Sequence, residues 1–260
     1  MRPYSIAHIN NLSHKEKREI FIHLIPDEIF NRYDINADLY DSQGKDLFKI
    51  EGEHDSQSLE VSIYHEYEFK DPLIYAHLTD TLNSKIHVLL YIMNDPDSPR
   101  FDTDRLPDGT KTVFGTQVRN LEAEQAAMEY GLLPGQIRKG LNLLGKAVDS
   151  FDGFIQNLGH NLYFVEPLYY HNAIIFERYG FNYQSGRRRM EQIHVDFSIE
   201  KKYKPQLNNS PFRKPEAENH MFHRSWAIHD GILGEPFTYL TMYKMIGKKF
   251  NINTAPGLSW

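Results

Sequence analysis

Near the start of the chain, apolar residues recur at the three- and four-residue spacing of a helix. Ser13 is followed three residues later by Glu16, which is a capping-box pattern for a helix N-terminus. Pro26 interrupts the apolar pattern, and Asp27–Tyr33 begins a second short helix. These features predict two structural helices. The apolar stripe of the first comprises Ile20, Phe21, Leu24 and Ile25.

Between Ile35 and Asp95 the pattern changes to the two-residue period of β-strands. Turn-forming residues separate runs that are rich in β-branched and aromatic side chains. The runs are Ala37–Tyr40, Leu47–Gly52, Leu59–Phe69, Leu73–Thr79 and Ile86–Met93. They predict an antiparallel meander of four or five strands. Because the last run is almost continuously apolar, we expect it to lie centrally in the sheet.

The middle of the chain combines a polar loop with two helices. Asn94–Thr112 is rich in Pro and Asp and lacks the spacing of an EF-hand, so it predicts a solvated loop. Asn120–Tyr130 predicts a helix that ends at Gly131, and Pro134–Leu158 predicts a longer one. The apolar stripe of the longer helix comprises Ile137, Leu141, Leu144, Val148, Phe151 and Ile155.

A strand, a short helix and a second extended run follow. Leu162–Glu166 predicts the strand, and His171–Tyr179 predicts the helix. Gly180 supplies the left-handed residue that commonly ends a helix, and the chain becomes extended again from Phe181.

The remainder of the chain predicts fewer regular elements. Gly186–Arg189 predicts a basic turn, and the alternation in Met190–Ile199 predicts a final strand. Residues 200–219 are rich in Lys, Pro and Asn and predict a linker or surface loop. The tail Met221–Trp260 contains a predicted helix over Phe237–Ile246. Its two tryptophans, Trp226 and Trp260, predict that this tail packs on the body of the protein.

Composition excludes several classes of function. The 260 residues carry a net charge of −6, which argues against a nucleic-acid carrier. The absence of cysteine excludes disulfides, thiolate zinc sites, iron–sulfur clusters and thiol catalysis. Neither a secretion signal nor an 18-residue apolar run occurs, so we expect a cytoplasmic protein with no membrane partner.

The segment AIIFERYGF, Ala173–Phe181, resembles a late motif of the GNAT superfamily of acyl-CoA-dependent acyltransferases. That motif is a short helix ending Tyr-Glu-x-x-Gly-Phe, and Glu177, Gly180 and Phe181 match it. Phe176 stands where the family often has a catalytic tyrosine. The order of predicted elements is also similar to that of the family.

The resemblance implies an α+β fold with a GNAT-like central, mostly antiparallel sheet flanked by helices. Residues 1–200 would form an acyltransferase-like domain, and residues 201–260 a C-terminal extension packed on it. The implied function is transfer of an acyl group from acyl-CoA, or another acyl carrier, to an amine. Coenzyme A or acyl-CoA would be a substrate, the partners would be a small-molecule amine acceptor and the acyl donor, and a homodimer stays open.

The segment LLPGQIRKGLNLLGKAV resembles the family's pyrophosphate loop, Gln/Arg-x-x-Gly-x-Gly/Ala, in two imperfect registers. With Gly140 as the first glycine, Ile137 replaces Gln/Arg and Asn142 replaces the last glycine; with Gly140 last, Arg138 replaces the first glycine. An ordinary helix N-terminus with solvated cations is the alternative. The residues that the resemblance implies for pyrophosphate binding are Gln136, Arg138, Lys139, Gly140 and Leu141.

In that family the strand before the long helix separates from the next strand, and the acyl-CoA amide lies in the gap. Here Leu90, Tyr91 and Ile92 would hold the pantetheine arm. The base would be Glu166, at a strand end, or His171, which titrates near neutrality. Glu166 capping the short helix and His171 being a surface residue are the alternatives.

Tyr179 is the candidate acid in place of the missing family tyrosine, although a water could serve equally well.

Two other functions stay open. One is a binding or regulatory module that has lost the chemistry. The other is a metal-dependent enzyme using His220, His223 and His229–Asp230. The spacing of these residues does not match the His-Glu-x-x-His motif of known zinc sites, and we assign no metal site.

Overall fold

A computed structural model of the chain describes residues 4–112 and 118–260. Within these residues it contains eight α-helices and seven strands in the order β1-β2-β3-β4-β5-β7-β6. The helices are α1 Ile6–Asn10, α2 His14–Phe21, α3 Asp27–Tyr33, α4 Leu121–Glu129, α5 Leu144–Asn157, α6 Tyr170–Arg178, α7 Arg187–His194 and α8 Met221–His229. The strands are β1 Phe48–Glu51, β2 Ser58–Ile63, β3 Ile74–Asp80, β4 Ile86–Met93, β5 Leu162–Val165, β6 Asn182–Ser185 and β7 Thr241–Met245. The prediction of a mixed α+β fold with a mostly antiparallel sheet is confirmed.

The chain divides into two compact units. The first comprises residues up to Asp97, Gly140–Glu166 and Tyr243–Lys248. The second comprises Ser98–Lys139, Pro167–Met242 and Lys249–Trp260. No helix within residues 4–112 or 118–260 has both the length and the apolar character needed to cross a membrane.

In the first unit, β1 to β4 form the predicted antiparallel meander. Strand β4 has the predicted bounds and lies fourth of the seven strands, so its central position is confirmed. Two predicted strand segments are corrected. Leu39 has a left-handed backbone (φ 55°), which leaves only an isolated bridge near Tyr40. Strand β2 ends at Ile63, and Glu68 is left-handed (φ 61°).

Helices of the first unit supply its apolar core. Helix α2 begins with the predicted capping box, in which Glu16 N donates to Ser13 Oγ (3.3 Å) and Ser13 N donates to the Glu16 carboxylate (2.9 Å). Phe21 at the end of α2 packs against Phe154 of α5, with ring centroids 5.4 Å apart. Both rings are fully buried.

Pro134 does not begin a helix, because the chain around it is bent by left-handed residues. Gly135 has φ +80°, and a Cβ there would lie 2.3 Å from Cε2 of Tyr169 in the same unit. Asn142 is also left-handed (φ 58°). Helix α5 therefore begins only at Leu144, ten residues after the predicted start.

In the second unit, the tail tryptophan Trp226 belongs to an apolar cluster with Met128 and Phe212. It is fully buried, stacks on Phe212 with ring centroids 5.3 Å apart, and donates from Nε1 to Leu132 O (3.0 Å). Trp260 is 42% exposed, and the guanidinium of Arg178 lies over its ring at 3.3 Å.

The predicted strand Met190–Ile199 is wrong, because this segment is helical. Helix α7 begins after Gly186, which has φ +90°, and continues as a π-helical turn over Val195–Ile199. The buried residues Met190, Ile193 and Phe197 recur at helical spacing, which the apparent alternation concealed.

Two further predictions about the C-terminal part are corrected. The predicted helix Phe237–Ile246 is instead strand β7, in which Met242 and Lys244 are buried and alternate with half-buried neighbours. Residues 200–219, predicted as a linker or surface loop, include two short 3₁₀ turns and four buried side chains, so they are a loop anchored in its unit and not a linker. Those side chains belong to Tyr203, Leu207, Phe212 and Ala217.

Candidate functional site

The neighbours of β4 in the first unit differ strongly along its two edges. On one edge it pairs with β3 along its whole length. On the other edge it is parallel to β5, but pairing is limited to His87–Phe164 and Val88–Val165, followed by a hydrogen bond from Glu166 N to Val88 O (3.1 Å). Within the described chain, no backbone hydrogen bond reaches this second edge between Leu89 and Met93. The two strands therefore separate after Val88. We call this five-residue edge the open edge of β4.

A β-bulge lies where the separation begins. Val88 pairs with Leu78 and Leu90 pairs with His77, so Leu89 is the extra residue on β4. Such a bulge bends its strand and increases the local twist. Strand β5 ends at Val165 shortly before Pro167, which has no N–H to extend a ladder. The bulge and the proline together account for the wedge between the strands.

The N-terminus of α5 is close in sequence and space to the end of β4. A Cβ built on Gly140 would lie 3.6 Å from Met93 O, so the chain entering α5 passes the last residue of β4. The N-cap residue Leu143 makes no side-chain hydrogen bond to the helix. Since the first N–H groups of a helix have no intrahelical acceptor, those of Leu144 and Gly145 are available to an anion.

Glu166 lies at the end of β5 with its side chain exposed. It follows Phe164 by two residues, so the two side chains lie on the same face as His87, the register partner of Phe164. Burial lowers the pKa of His87, and the negative charge of Glu166 opposes that shift. His87 Nε2 is buried and has no hydrogen-bond partner among the described residues. A carboxylate and an imidazole therefore share the sheet face beside the wedge.

The predicted cofactor residues separate between the two units. Leu90, Tyr91 and Ile92 are half-buried along the open edge of β4 in the first unit. Gly140, which lies near Met93 O, and Leu141, which is buried, belong to the same unit. The other three residues predicted for pyrophosphate binding are in the second unit; they are Gln136, Arg138 and Lys139.

Each of these three residues has local partners in the second unit. Gln136 Oε1 accepts from Leu133 N (2.8 Å), and the Arg138 guanidinium donates to Ser98 O. Lys139 N donates to Ser98 Oγ (3.1 Å), and its ammonium lies 4.6 Å from the centre of the Tyr130 ring. The helix N-terminus predicted beside them is absent, because α5 begins at Leu144.

His171 differs from its prediction as a group that titrates near neutrality. Its side chain is 3% exposed, and Nδ1 lies 2.8 Å from Ser225 Oγ. Burial, together with the nearby His229, lowers the pKa of His171 to about 3. The ring is neutral at neutral pH and is a poor base there. It is also not the surface residue of the alternative prediction.

Tyr179 is the C-cap residue of α6 in the second unit and is half-buried. Its role as the acid stays a prediction.

Glu177, which matches the family motif, is fixed by hydrogen bonds. Its carboxylate accepts from Tyr183 Oη (2.5 Å), Thr254 N (3.0 Å) and Thr254 Oγ1 (2.6 Å), and the residue is 5% exposed.

We expect Glu177→Ala to lower the free energy of unfolding by about 3 kcal/mol, because it removes three hydrogen bonds and leaves buried donors unpaired. Urea unfolding followed by tryptophan fluorescence measures this, since Trp226 is buried in the same unit. The matched control is Glu191→Ala, which removes only an exposed i,i+4 pair with Arg187. Equal losses for the two variants would contradict a stabilising role for Glu177.

The tail histidines do not converge on one centre. His229 Nε2 lies 3.1 Å from Glu124 Oε1, whereas the rings of His220 and His223 are 5.1 Å apart. Asp230 accepts from Arg119 (2.9 Å) and from Arg213 (2.7 Å), so arginines occupy this candidate ligand. Across the described ranges, no group of three or more His, Asp or Glu is placed to hold a metal ion.

The sequence patterns missed two features of these regions. The bulge at Leu89 depends on the register of β3, which is non-local and has no signature within β4. The start of α5 was signalled only by Asn142, a residue type that tolerates the left-handed region.

Comparison of the chain with known protein families, curated proteins and solved structures found no match.

Proposed function

We propose that the first unit binds an acyl thioester in the wedge between β4 and β5 and transfers its acyl group to an amine. The observation that carries this proposal is the parallel pairing of the two strands, which covers two residue pairs and then stops. Among residues 4–112 and 118–260, no backbone hydrogen bond reaches the open edge of β4. The separation has the form that the GNAT resemblance implies for the gap that takes the cofactor.

The open edge suits the pantetheine arm of coenzyme A. That arm is a narrow chain with two amides, and amides can pair with the free N–H and C=O groups of a strand edge. The half-buried side chains of Leu90, Tyr91 and Ile92 supply apolar contacts for its methylene groups. A thioester held along this edge would be aligned by β4 itself.

The N-terminus of α5 suits the diphosphate. In its first turn the chain reads Asn142-Leu-Leu-Gly145-Lys-Ala147, which is similar to Gln/Arg-x-x-Gly-x-Gly/Ala with Asn in the first position. A glycine in the first turn lets a phosphate approach the backbone closely, and the helix dipole favours the negative charge. This register replaces the two imperfect ones centred on Gly140.

Glu166 is the base in this proposal. The amine nitrogen attacks the thioester carbonyl carbon, the carbon–sulfur bond breaks, and an amide and a thiol result. The Glu166 carboxylate takes the proton lost by the amine, directly or through one water. The departing thiolate takes its proton from solvent, which is the alternative to Tyr179 as the acid, since Phe176 has no proton to donate.

Calorimetric titration of the full chain with acetyl-CoA and with a long-chain acyl-CoA tests cofactor binding. We expect Gly145→Asp to weaken binding at least about 10-fold, because a carboxylate there repels the diphosphate. The helix itself should still form, since a negative charge in the first turn interacts favourably with the helix dipole. The matched control is Gly153→Asp on the same helix, where a Cβ would meet open space. Absence of binding to the wild-type protein, or equal binding by the two variants, would exclude the proposed site.

Catalysis is tested by thiol release from the better-bound thioester with a mixture of amino acids as acceptors. Glu166→Gln should lower the rate by about 100-fold or more and leave cofactor affinity unchanged. Tight binding without thiol release from any thioester would favour a binding or regulatory module instead.

A further inference from the structure

The second unit contains a cavity of about 350 Å³ that acyl transfer in the first unit does not use. It lies between the residues that begin α6, the last turns of α8 and the loop after α8. Its apolar wall includes Tyr170, Ile228 and Phe237. Its volume is at the small end of the range for ligand pockets in proteins.

Hydrogen bonds fix the polar wall of this cavity. Ser225 and His229, four residues apart on α8, both line it. Ser225 Oγ is bonded to His171 Nδ1 (2.8 Å), and His229 Nε2 is bonded to Glu124 Oε1 (3.1 Å). When neutral, the ring of His229 donates from Nε2 to this carboxylate and carries its lone pair on Nδ1.

A second layer holds the His229–Glu124 pair in place. Arg119 donates from Nε to Glu124 Oε2 (2.8 Å) and from Nη1 to Asp230 Oδ1 (2.9 Å). The side chains of His229 and Glu124 are 7% and 5% exposed. A buried network of this kind is often no more stable than an apolar core of the same size. Its position against a cavity is typical of a binding site.

The charges around the cavity select the kind of ligand. Its twelve lining residues, all of them described, include no Lys or Arg and one carboxylate, Glu235. The Glu235 side chain is 66% exposed and lies 3.2 Å from Arg189. Hydrogen-bond acceptors among the lining residues include the Glu235 carboxylate, the hydroxyls of Ser225, Thr238, Tyr169 and Tyr170 and, when the ring is neutral, the imidazole of His229.

Aromatic faces add to this preference. Tyr169 lies at 5.6 Å from both His171 and His229, and the rings of Tyr170 and Phe237 are 6.2 Å apart. Ring faces attract cations, and their carbon atoms bury hydrocarbon. At the start of α6, Asn172 Oδ1 accepts from Tyr169 N (3.1 Å), which occupies one of the donors that would favour an anion.

We propose that this cavity binds a small primary amine that carries an aromatic or branched hydrocarbon group. The ammonium group donates to Glu235, Ser225 and the His229 imidazole, and the hydrocarbon lies against Tyr170, Ile228 and Phe237. Binding in this cavity does not depend on thioester turnover in the first unit.

Titration calorimetry of the full chain with 2-phenylethylamine, 2-phenylethanol and 3-phenylpropanoate tests this proposal. The three probes share a ring and differ in the charge of their polar group. We expect the amine to bind at least about 10-fold more tightly than the alcohol or the carboxylate. Equal or tighter binding of the carboxylate, or no binding of the amine, would overturn the proposal.

Variants locate the binding. Glu235→Gln, on an exposed loop, and Ser225→Ala should each weaken amine binding several-fold, and Phe237→Ala should weaken binding of the amine and the alcohol alike. Tyr239→Ala is the matched control, because Tyr239 is on the same loop, is 85% exposed and does not line the cavity. Unchanged amine affinity in both Glu235→Gln and Phe237→Ala would place the amine elsewhere. Gly145→Asp should leave amine binding intact, which separates this result from failure of the acyl-transfer proposal.

Discussion

Between pH 7 and pH 5, the free energy of unfolding of the wild-type protein should fall by about 2 kcal/mol more than that of His171→Gln. The pKa of His171 is about 3 in the folded protein, against about 6.5 for a free histidine. The unfolded chain therefore binds a proton that the folded chain does not. Stability present above pH 6.5 is lost as the pH falls toward 3, by up to about 4 kcal/mol in total. The amide of Gln can bond to Ser225 but takes up no proton in this range.

Urea unfolding at half-unit steps of pH, followed by tryptophan fluorescence, measures this difference. The pKa values of His87, His194 and His223 are also lowered by burial, but these residues are present in both proteins and their contributions cancel. His54→Gln is the control for the substitution itself, since the side chain of His54 is 77% exposed. Parallel profiles for wild type and His171→Gln would mean that His171 takes up protons in the folded state as readily as in the unfolded state.

Arg224→Ala should lower the free energy of unfolding by about 4 kcal/mol, which is near the upper limit for a single substitution. Arg224 is fully buried on α8, and within the described chain it has no carboxylate partner. Its guanidinium is instead bound by neutral oxygens and lies 4.9 Å from the centre of the Phe197 ring. Those oxygens are Ala217 O, Glu218 O, Ser198 Oγ and Tyr170 Oη. Truncation leaves a cavity and buried acceptors without donors.

The same denaturation experiment tests Arg224, with Arg188→Ala on the exposed side of α7 as the control. Arg224→Lys should recover less than half of the loss, because a single ammonium cannot bond to carbonyls on two sides as a planar guanidinium does. If Arg224→Lys were as stable as the wild type, the charge alone and not the five-donor geometry would hold these segments together.

Local sequence patterns correctly predicted the elements whose ends are set by residues within or next to the element. The Ser13–Glu16 capping box sets the start of α2, and Gly180, with φ +80°, sets the end of α6. The continuous apolar run of β4 likewise indicated a strand with neighbours on both sides. In each case the information lies within a few residues of the element it specifies.

The errors occurred where a non-local contact decides between two acceptable conformations. Residues 190–199 fit either a strand or a helix by their apolar spacing, and burial of Met190, Ile193 and Phe197 on one side selects the helix. The segment 241–245 contains good helix formers, but its place beside β5 in the sheet makes it a strand.

The candidate site was predictable to a similar extent. Leu90–Ile92 and Glu166 follow from where strands end, and both lie in the first unit near the wedge. The role of Arg138 and Lys139 was inferred from the resemblance to a pyrophosphate loop at a predicted helix N-terminus, but neighbouring groups in the second unit occupy these side chains. The cavity beside Ser225 left no trace in the sequence, because its walls come from segments separated by more than fifty residues.

The close approach of Tyr169 to Gly135 limits how this protein can diverge. Any side chain at position 135 would displace the tyrosine ring, which in turn lies against His171 and His229. Position 135 also has φ +80°, which favours glycine whatever residue stands at 169, and a bulkier residue at 135 would in addition require a small one at 169. Glycine at 135 leaves room for a smaller residue at 169, so Tyr169 can be replaced while Gly135 is kept, whereas Gly135 cannot be replaced before Tyr169 without displacing the ring.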